Sequence, residues 1–139
     1  KGVFENILFP GIVDLLKNLK LKGIELHVAT SKLEKYAIKV LEIHNILRYF
    51  TLIFGATYKG SGADKSYLIQ QVLKKRNFVR PEKFLMIGDK RFDIEGAKSA
   101  GIDSLGVLYG FGTEQELTNA GADYIIGSVE ELKCFLLKT

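Results

Sequence analysis

The sequence predicts an α/β protein in which a parallel sheet is covered by helices on both faces. Short strand-like segments alternate with amphipathic helical segments along the whole chain. The segment 84–87 is wholly apolar, as is typical of a strand buried on both faces of a parallel sheet. The connections between strands are long enough for right-handed crossovers. With 139 residues, 47% of them hydrophobic, the chain suits one domain around one core.

The first third of the chain predicts two helices and two strands. Pro10 begins a helix that ends near Gly23, because its apolar residues recur at helical spacing. These residues are Ile12, Leu15, Leu16 and Leu19. A strand is expected over residues 24–29, and the next helix begins at a capping box formed by Ser31 and Glu34. Its expected buried face consists of Leu33, Tyr36, Ala37, Val40 and Leu41. Aromatic and β-branched residues predict a second strand over residues 49–54.

The rest of the chain continues the same alternation. A glycine-rich loop over residues 55–63 leads into a helix over residues 64–75. Three further strands are predicted, at residues 84–87, 104–108 and 124–126. The helix over residues 93–100 should stop at Gly101, and the next should run from the capping box of Thr113 and Glu116 to Gly121. Ser128 and Glu131 form a third capping box at the start of the last helix.

Charge and cysteine content exclude several classes of protein. The net charge is +4, but the 20 lysines and arginines are scattered, so no nucleic-acid-binding tract is indicated. An anionic small molecule would suit this charge at least as well. Cys134 is the only cysteine, which excludes an internal disulfide and favours a cytoplasmic protein. The uncharged runs reach only about half of the roughly 20 residues that a membrane-spanning helix needs, so no membrane partner is expected.

Polar residues that could take part in binding or catalysis follow the predicted strands. Thr30 and Ser31 come after the first strand, Asp89 follows the strand 84–87, and Asp93 opens the next helix. Lys65 lies at the start of the helix after the glycine-rich loop. Because ligands bind beyond the carboxyl ends of parallel strands, we expect these residues at one edge of the sheet.

Four stretches of sequence carry a resemblance to a known family. "HVATSK" resembles its second motif, "GSGADKSYLI" its lysine motif, and "MIGDKRFDIEGAKSAG" its fourth motif, GDxxxDxxxAxxAG. The tail from "GVLYGFG" to "SVEEL" continues the pattern. The chain thus resembles the haloacid dehalogenase-like (HAD-like) hydrolases, of the phosphoglycolate phosphatase type. The resemblance implies a three-layer α/β/α Rossmann-like fold and a Mg²⁺-dependent phosphatase of small phosphorylated metabolites such as phosphoglycolate.

Elementary chemistry gives each candidate residue a role beside the resemblance. Phosphoryl transfer needs cations and hydrogen-bond donors held around three phosphoryl oxygens. Lys65 would supply a positive charge, while Thr30, Ser31 and the amides that follow would bind phosphoryl oxygens. Asp89 and Asp93 are hard oxygen ligands suited to Mg²⁺. Taken singly, each has a simpler explanation, since Lys65 could be a solvated charge and Asp93 a helix cap.

The chain departs from the family at its beginning. The resemblance implies a first motif, DxDGT, whose leading aspartate forms an aspartyl phosphate, but the only aspartate before Thr30 is Asp14, inside a helix. We therefore expect residues 1–139 to be the C-terminal part of a HAD-like core without its cap, and inactive alone. The family sheet places the missing strand between strands 24–29 and 84–87. Its absence would leave an open slot through which the chain could self-associate.

Other function classes stay open on the sequence alone. A receiver-type signalling domain also carries acidic residues, a hydroxyl residue and a lysine at strand ends, but would keep phosphate from acetyl phosphate without turnover. A protein that has lost catalysis and only binds a metal or a partner through the same edge would show neither turnover nor stable phosphorylation. "GFGTEQ" lacks the third glycine of a dinucleotide fingerprint, and Asp64 stands where a phosphate-binding P-loop needs glycine. His27 and His44 are expected to be packed or solvated.

Overall fold

The computed structural model describes residues 9–57, 64–77 and 80–137, which alternate between strands and helices as predicted. Short 3₁₀ turns lie at Leu47–Tyr49 and Pro81–Lys83. No helix in these ranges has both the length and the apolar composition that crossing a bilayer requires. The elements are α1 (Ile12–Leu21), β1 (His27–Leu33), α2 (Glu34–Ile43), β2 (Leu52–Ala56), α3 (Lys65–Lys75), β3 (Leu85–Gly88), α4 (Arg91–Ala100), β4 (Asp103–Val107), α5 (Glu114–Ala120), β5 (Tyr124–Ile126) and α6 (Val129–Leu137).

The strands are parallel, as predicted, but they form two separate sheets. In one sheet β1 pairs with β2, and in the other the order is β3, β4, β5. Within the described strands, no backbone pairing joins β1 to β3, so each keeps one unpaired edge. We call the space between these two edges the slot. It lies where the missing strand was expected.

Helices cover both faces of the strands, and the apolar residues of these helices are buried against the strands. On one face, Leu15 and Leu19 of α1 pack with Leu105 of β4 and Leu132 of α6. On the other face, a cluster from α3, α4 and the start of β4 packs against Ala29 of β1 and Met86 of β3. Because residues on both sides of the slot contact this same cluster, the two sheets are held together by helices. The three-layer α/β/α prediction is confirmed.

The first predicted capping box is wrong. The strand begins at His27 rather than residue 24 and continues to Leu33, with an irregularity in its pairing between Ala29 and Leu33. Ser31 therefore lies in β1, and the helix begins only at Glu34 without a side-chain cap. The carboxylate of Glu34 instead accepts the backbone N–H of Gly55 in β2, at 3.2 Å. Glu34 thus bonds to Gly55 in the neighbouring strand instead of capping the start of its own helix with Ser31.

Other boundaries shift by smaller amounts. The second strand is Leu52–Ala56, so Gly55 belongs to the strand, while Tyr49 lies in a buried 3₁₀ turn. Of the predicted buried face of α2, Leu33 lies in β1 and Tyr36 lies in α2, and both are exposed. The strands predicted at residues 84–87 and 104–108 each lie within one residue of the observed ones. Residues 58–63 of the predicted glycine-rich loop lie outside the described residues.

Most of the remaining helix signals are confirmed, although the carboxylates of the last two capping boxes, Glu116 and Glu131, accept the N–H groups of Arg91 and Gly127 rather than those of the N-cap residues. Thr113 Oγ1 accepts the N–H of Glu116 at 3.0 Å, and Ser128 Oγ accepts that of Glu131 at 3.1 Å. Gly101 and Gly121 end their helices with φ of 81° and 94°, a left-handed conformation that glycine adopts without strain. The N-terminal stripe of α1 is buried at all four expected positions. These signals act within about four residues and do not depend on the rest of the fold.

Replacing the fully buried Leu105 by alanine should strongly destabilise the protein. Deleting a buried leucine side chain costs about 2–5 kcal/mol, from lost transfer free energy and the residual cavity. Urea denaturation followed by circular dichroism measures this change. Leu21→Ala, at an exposed position of α1, is the matched control and should change the free energy of unfolding by less than about 0.5 kcal/mol. Equal effects of the two variants would contradict this core assignment.

His27 should make the protein sensitive to mild acid. Burial lowers the pKa of His27 below its ordinary value of 6.5, although Glu25 Oε1 lies 3.0 Å from Nε2 and acts in the opposite direction. The folded state therefore binds this proton less readily than the unfolded state, and stability is lost as pH falls below about 6.5. The free energy of unfolding should fall less between pH 7.5 and 5 in His27→Gln than in the parent. Parallel losses in both would exclude His27 as the cause.

Candidate functional site

The predicted site residues line a single cavity of about 920 Å³. It lies beyond the carboxyl ends of β1 and β3, at the end of the slot. The structure brings together Thr30, Ser31, Lys65, Asp89 and Asp93 at its walls. Their convergence follows from the parallel strands, whose carboxyl ends face the same edge. Their chemical roles stay predictions, and the geometry shows which of these roles each residue could perform.

The central interaction of the cavity is an ion pair between two helix starts. Lys65, the first residue of α3, places Nζ 2.5 Å from Asp93 Oδ1 in the first turn of α4. Lys65 is 6% exposed and Asp93 is 0% exposed. A buried charge persists only when it is paired and hydrogen-bonded, so each residue requires the other. Lys65 is therefore not the solvated charge that its position near a loop suggested.

The second carboxylate oxygen of Asp93 organises the loop after β3. Oδ2 accepts the backbone N–H of Asp89 at 3.1 Å and that of Lys90 at 3.2 Å. Asp93 thus satisfies amides that would otherwise be unpaired at the start of α4. Asp93 is the third residue of α4 rather than its N-cap, which is Lys90, and its carboxylate serves both the helix start and Lys65. Its role toward a metal stays a prediction.

Asp89 presents an oxygen to the cavity. It is 2% exposed, and its Oδ2 accepts the N–H of Phe111 at 2.9 Å. Its Oδ1 is buried and has no hydrogen-bond partner among the described residues. A buried carboxylate oxygen without a partner is costly, and a cation bound there would remove the cost. Burial raises the pKa of neighbouring Tyr109 to about 12, and the negative charge of Asp89 contributes a smaller part of this rise.

The donor set fits Mg²⁺. No group of three or more histidine, cysteine or acidic side chains that could hold a metal occurs within residues 9–57, 64–77 and 80–137. Mg²⁺ does not need such a cage, because it keeps several waters and takes one or two carboxylates. Asp89 Oδ1 could bind it directly. Both oxygens of Asp93 already accept hydrogen bonds, which suits a contact through a bound water better than a direct one.

Thr30 and Ser31 differ in what they offer. Thr30 is buried in β1, and its Oγ1 accepts the N–H of Lys32 at 3.2 Å, which leaves the hydroxyl proton able to donate into the cavity. Ser31 is exposed at the cavity wall. The predicted use of helix amides after Ser31 is wrong at this position, because residues 31–33 continue the strand. Thr30 is thus the better placed of the two to bind a phosphoryl oxygen.

The comparisons with known proteins agree with this geometry. The family model described as haloacid dehalogenase-like hydrolase matches residues 5–107, well over half of the chain. The chain belongs to this family. A solved structure described as a predicted phosphatase from Clostridium acetobutylicum is 38% identical, with a TM-score of 0.89, and the match covers 94% of this chain and 60% of that one.

Curated relatives of this HAD-like chain carry different names. It is 39% identical over 116 residues to a 5'-nucleotidase of Pseudomonas aeruginosa, covering 84% of this chain and 52% of that protein. It is 38% identical over 112 residues to the tyrosine-protein kinase PtkA of Mycobacterium tuberculosis, covering 81% and 38%. It is 31% identical over 128 residues to the phosphoglycolate phosphatase of Escherichia coli, covering 90% and 49%. The chain spans about half or less of the length of these relatives.

Glycines that pack against the HAD-like site residues were missed in the sequence. A Cβ on Gly88 would overlap the side chain of Asp93, and one on Gly110 would overlap that of Asp89. Gly112 is similarly close to the backbone of Asp89, and Gly96 to the side chain of Lys65. The "GFG" sequence, which fails as a dinucleotide fingerprint, therefore provides space for Asp89. The sequence signal was two glycines flanking Phe111, but their partner lies about 20 residues away.

Gly110→Ala should displace the carboxylate of Asp89 and reduce both stability and activity. A methyl group in that space forces backbone or side-chain shifts that cost about 1–3 kcal/mol. Gly127→Ala is the matched control, since its Cβ would meet only the Oε1 atom of Glu131, an exposed side chain. Urea denaturation and phosphate release are compared for both variants in the full-length protein. An unchanged unfolding midpoint in Gly110→Ala would contradict the close packing.

Proposed function

We propose that the protein containing this chain is a Mg²⁺-dependent phosphatase of small phosphorylated metabolites. The observation that carries the proposal is the unpartnered Oδ1 of Asp89 in the cavity that also contains the Lys65–Asp93 pair. Family membership and the phosphatase names among relatives and solved structures support the reaction class. The reaction of the whole protein is a proposal, because the chain spans only part of each relative.

The charges of the cavity favour a divalent cation beside a phosphate. Lys65 contributes one positive charge, whereas Asp89 and Asp93 contribute two negative charges, and all three side chains are buried. A phosphate monoester, itself doubly negative near neutral pH, would be repelled by this net negative set. Mg²⁺ at Asp89 would reverse the sign of the site and stabilise charge on the transferring phosphoryl group. The charge balance thus supports the metal independently of the family.

Lys65 and Thr30 would bind the phosphoryl group from this chain. The Lys65 ammonium donates to Asp93 Oδ1, and its positive charge at the cavity wall would attract a phosphoryl oxygen. The Thr30 hydroxyl can donate to another oxygen. Asp93 acts on Lys65 and on the loop that carries Asp89, so it positions both groups. These contacts orient the phosphorus and stabilise its developing charge.

The nucleophile is proposed to come from a segment outside these 139 residues, as the family resemblance implies. A carboxylate oxygen of that segment would bond to phosphorus while the ester P–O bond breaks, and a second carboxylic acid would protonate the departing oxygen. Water would then attack the phosphorus, releasing phosphate and restoring the carboxylate. A strand in the slot would bring that carboxylate between Thr30, in the middle of β1, and Asp89, which follows β3.

Asp89→Asn in the full-length protein should lower Mg²⁺-dependent phosphate release by at least about a hundredfold, since loss of a preorganised electrostatic group has effects of this size. The substitution preserves shape but removes the negative charge that the cation would balance. Phosphate release is measured against Mg²⁺ concentration, and Mg²⁺ binding is measured separately by calorimetry. Asp103→Asn, at an exposed carboxylate at the start of β4, is the control and should behave as the parent. Turnover of Asp89→Asn within a few-fold of the parent would reject the assignment.

A further inference from the structure

Two exposed aromatic rings stand on the wall of the same cavity that holds the buried charges. Phe92 is 54% exposed and Phe111 is 68% exposed. Both line the cavity together with Thr30, Lys65 and Asp89, which are nearly inaccessible to solvent. The cavity therefore has a charged, buried part and an aromatic, open part. No role in the phosphoryl chemistry above needs either ring.

Both rings are tied closely to the site. Phe92 directly precedes Asp93 in the first turn of α4, and the guanidinium of Arg91 lies 4.7 Å from its ring centroid. The backbone N–H of Phe111 donates to Asp89 Oδ2 at 2.9 Å. Each ring thus belongs to a residue that adjoins or contacts one of the two carboxylates. A ligand bound at the carboxylates would therefore share the cavity with both rings.

We propose that Phe92 and Phe111 bind the base of a nucleoside monophosphate whose phosphate occupies the buried part of the cavity. This inference rests on the proposed function and names its substrate class. An exposed ring face gains free energy when a flat base stacks on it, because every base has a π-face and apolar area is removed from water. A ribose provides the spacing between a buried phosphate and a base at the open wall. Phosphoglycolate has no ring and would gain nothing from either phenylalanine.

The neighbouring charges agree with this ligand. Lys90, also on the cavity wall, is partly exposed, and Arg91 covers one side of the Phe92 ring. A guanidinium plane beside an aromatic ring is a common environment for a nucleobase. Among the residues that the structure describes, the acidic side chain paired with Lys90 is Glu116, whose Oε1 lies 4.0 Å from Nζ, so the lysine is only loosely held. It could approach the ribose or the phosphate without breaking a buried contact.

The test compares two substrates that differ only by the base, in the full-length protein with Mg²⁺. Adenosine 5'-monophosphate and ribose 5-phosphate carry the same phosphate on the same sugar carbon. The ratio of their kcat/KM values should fall roughly tenfold in Phe92→Ala and in Phe111→Ala, the size expected for one stacked ring, and chiefly through KM. Taking the ratio cancels any effect on Asp89 that both substrates share. Phe92→Tyr and Phe111→Tyr should retain the parent ratio.

Tyr67→Ala is the control, because this exposed ring of α3 lies outside the described cavity wall. Its ratio should equal that of the parent. Unchanged ratios in both phenylalanine-to-alanine variants, with both substrates still hydrolysed, would overturn the base site and leave the proposed function intact. If the parent releases phosphate from phosphoglycolate but from neither of these two substrates, the base site is overturned and the proposed function stands. If it releases phosphate from none of the three, both the proposed function and the base site are rejected.

Discussion

The buried carboxylate of Asp93 is the interaction on which the rest of the site depends. One of its oxygens neutralises Lys65, and the other accepts two backbone N–H groups at the start of α4. It therefore joins α3, α4 and the loop after β3 in one set of contacts. Without it, Lys65 would be a buried charge without this partner, and the loop that carries Asp89 would lose the acceptor for its amides. Such a group is difficult to replace, because its charge, length and two acceptor oxygens are all used.

Close packing against glycines fixes the positions of the two carboxylates, Asp89 and Asp93. Gly88 leaves room for Asp93, and Gly110 leaves room for Asp89. A larger residue at either glycine position would displace the neighbouring carboxylate. Asp89 Oδ1 is buried and has no hydrogen-bond donor among the described residues. An uncompensated oxygen would be a defect in a purely structural cluster. In a site that binds a cation it is the expected arrangement, which is why the metal proposal rests on this atom.

The slot and the cavity belong to one structural feature. β1 and β3 each have one unpaired edge, and residues at their carboxyl ends form the cavity walls. Unpaired edges are prone to pair with another strand, so some segment is expected to occupy this space. A strand from elsewhere in the full-length protein would complete the sheet and deliver a carboxylate to the phosphate in the same step. Self-association through the slot is the alternative use of the same edges.

Local sequence patterns suffice to predict the alternation of elements, the buried stripe of α1, the caps at Thr113 and Ser128, and the grouping of five candidate residues at one edge. These follow from interactions between residues up to about four positions apart, together with the common direction of parallel strands. Three other features become visible only in the folded chain: Ser31 stays in a strand, Glu34 bonds to Gly55, and Gly110 makes room for Asp89. Each of these depends on contacts between segments about 20 residues apart, which local spacing does not encode. The unpartnered Asp89 oxygen likewise emerges only when every neighbouring donor has been placed.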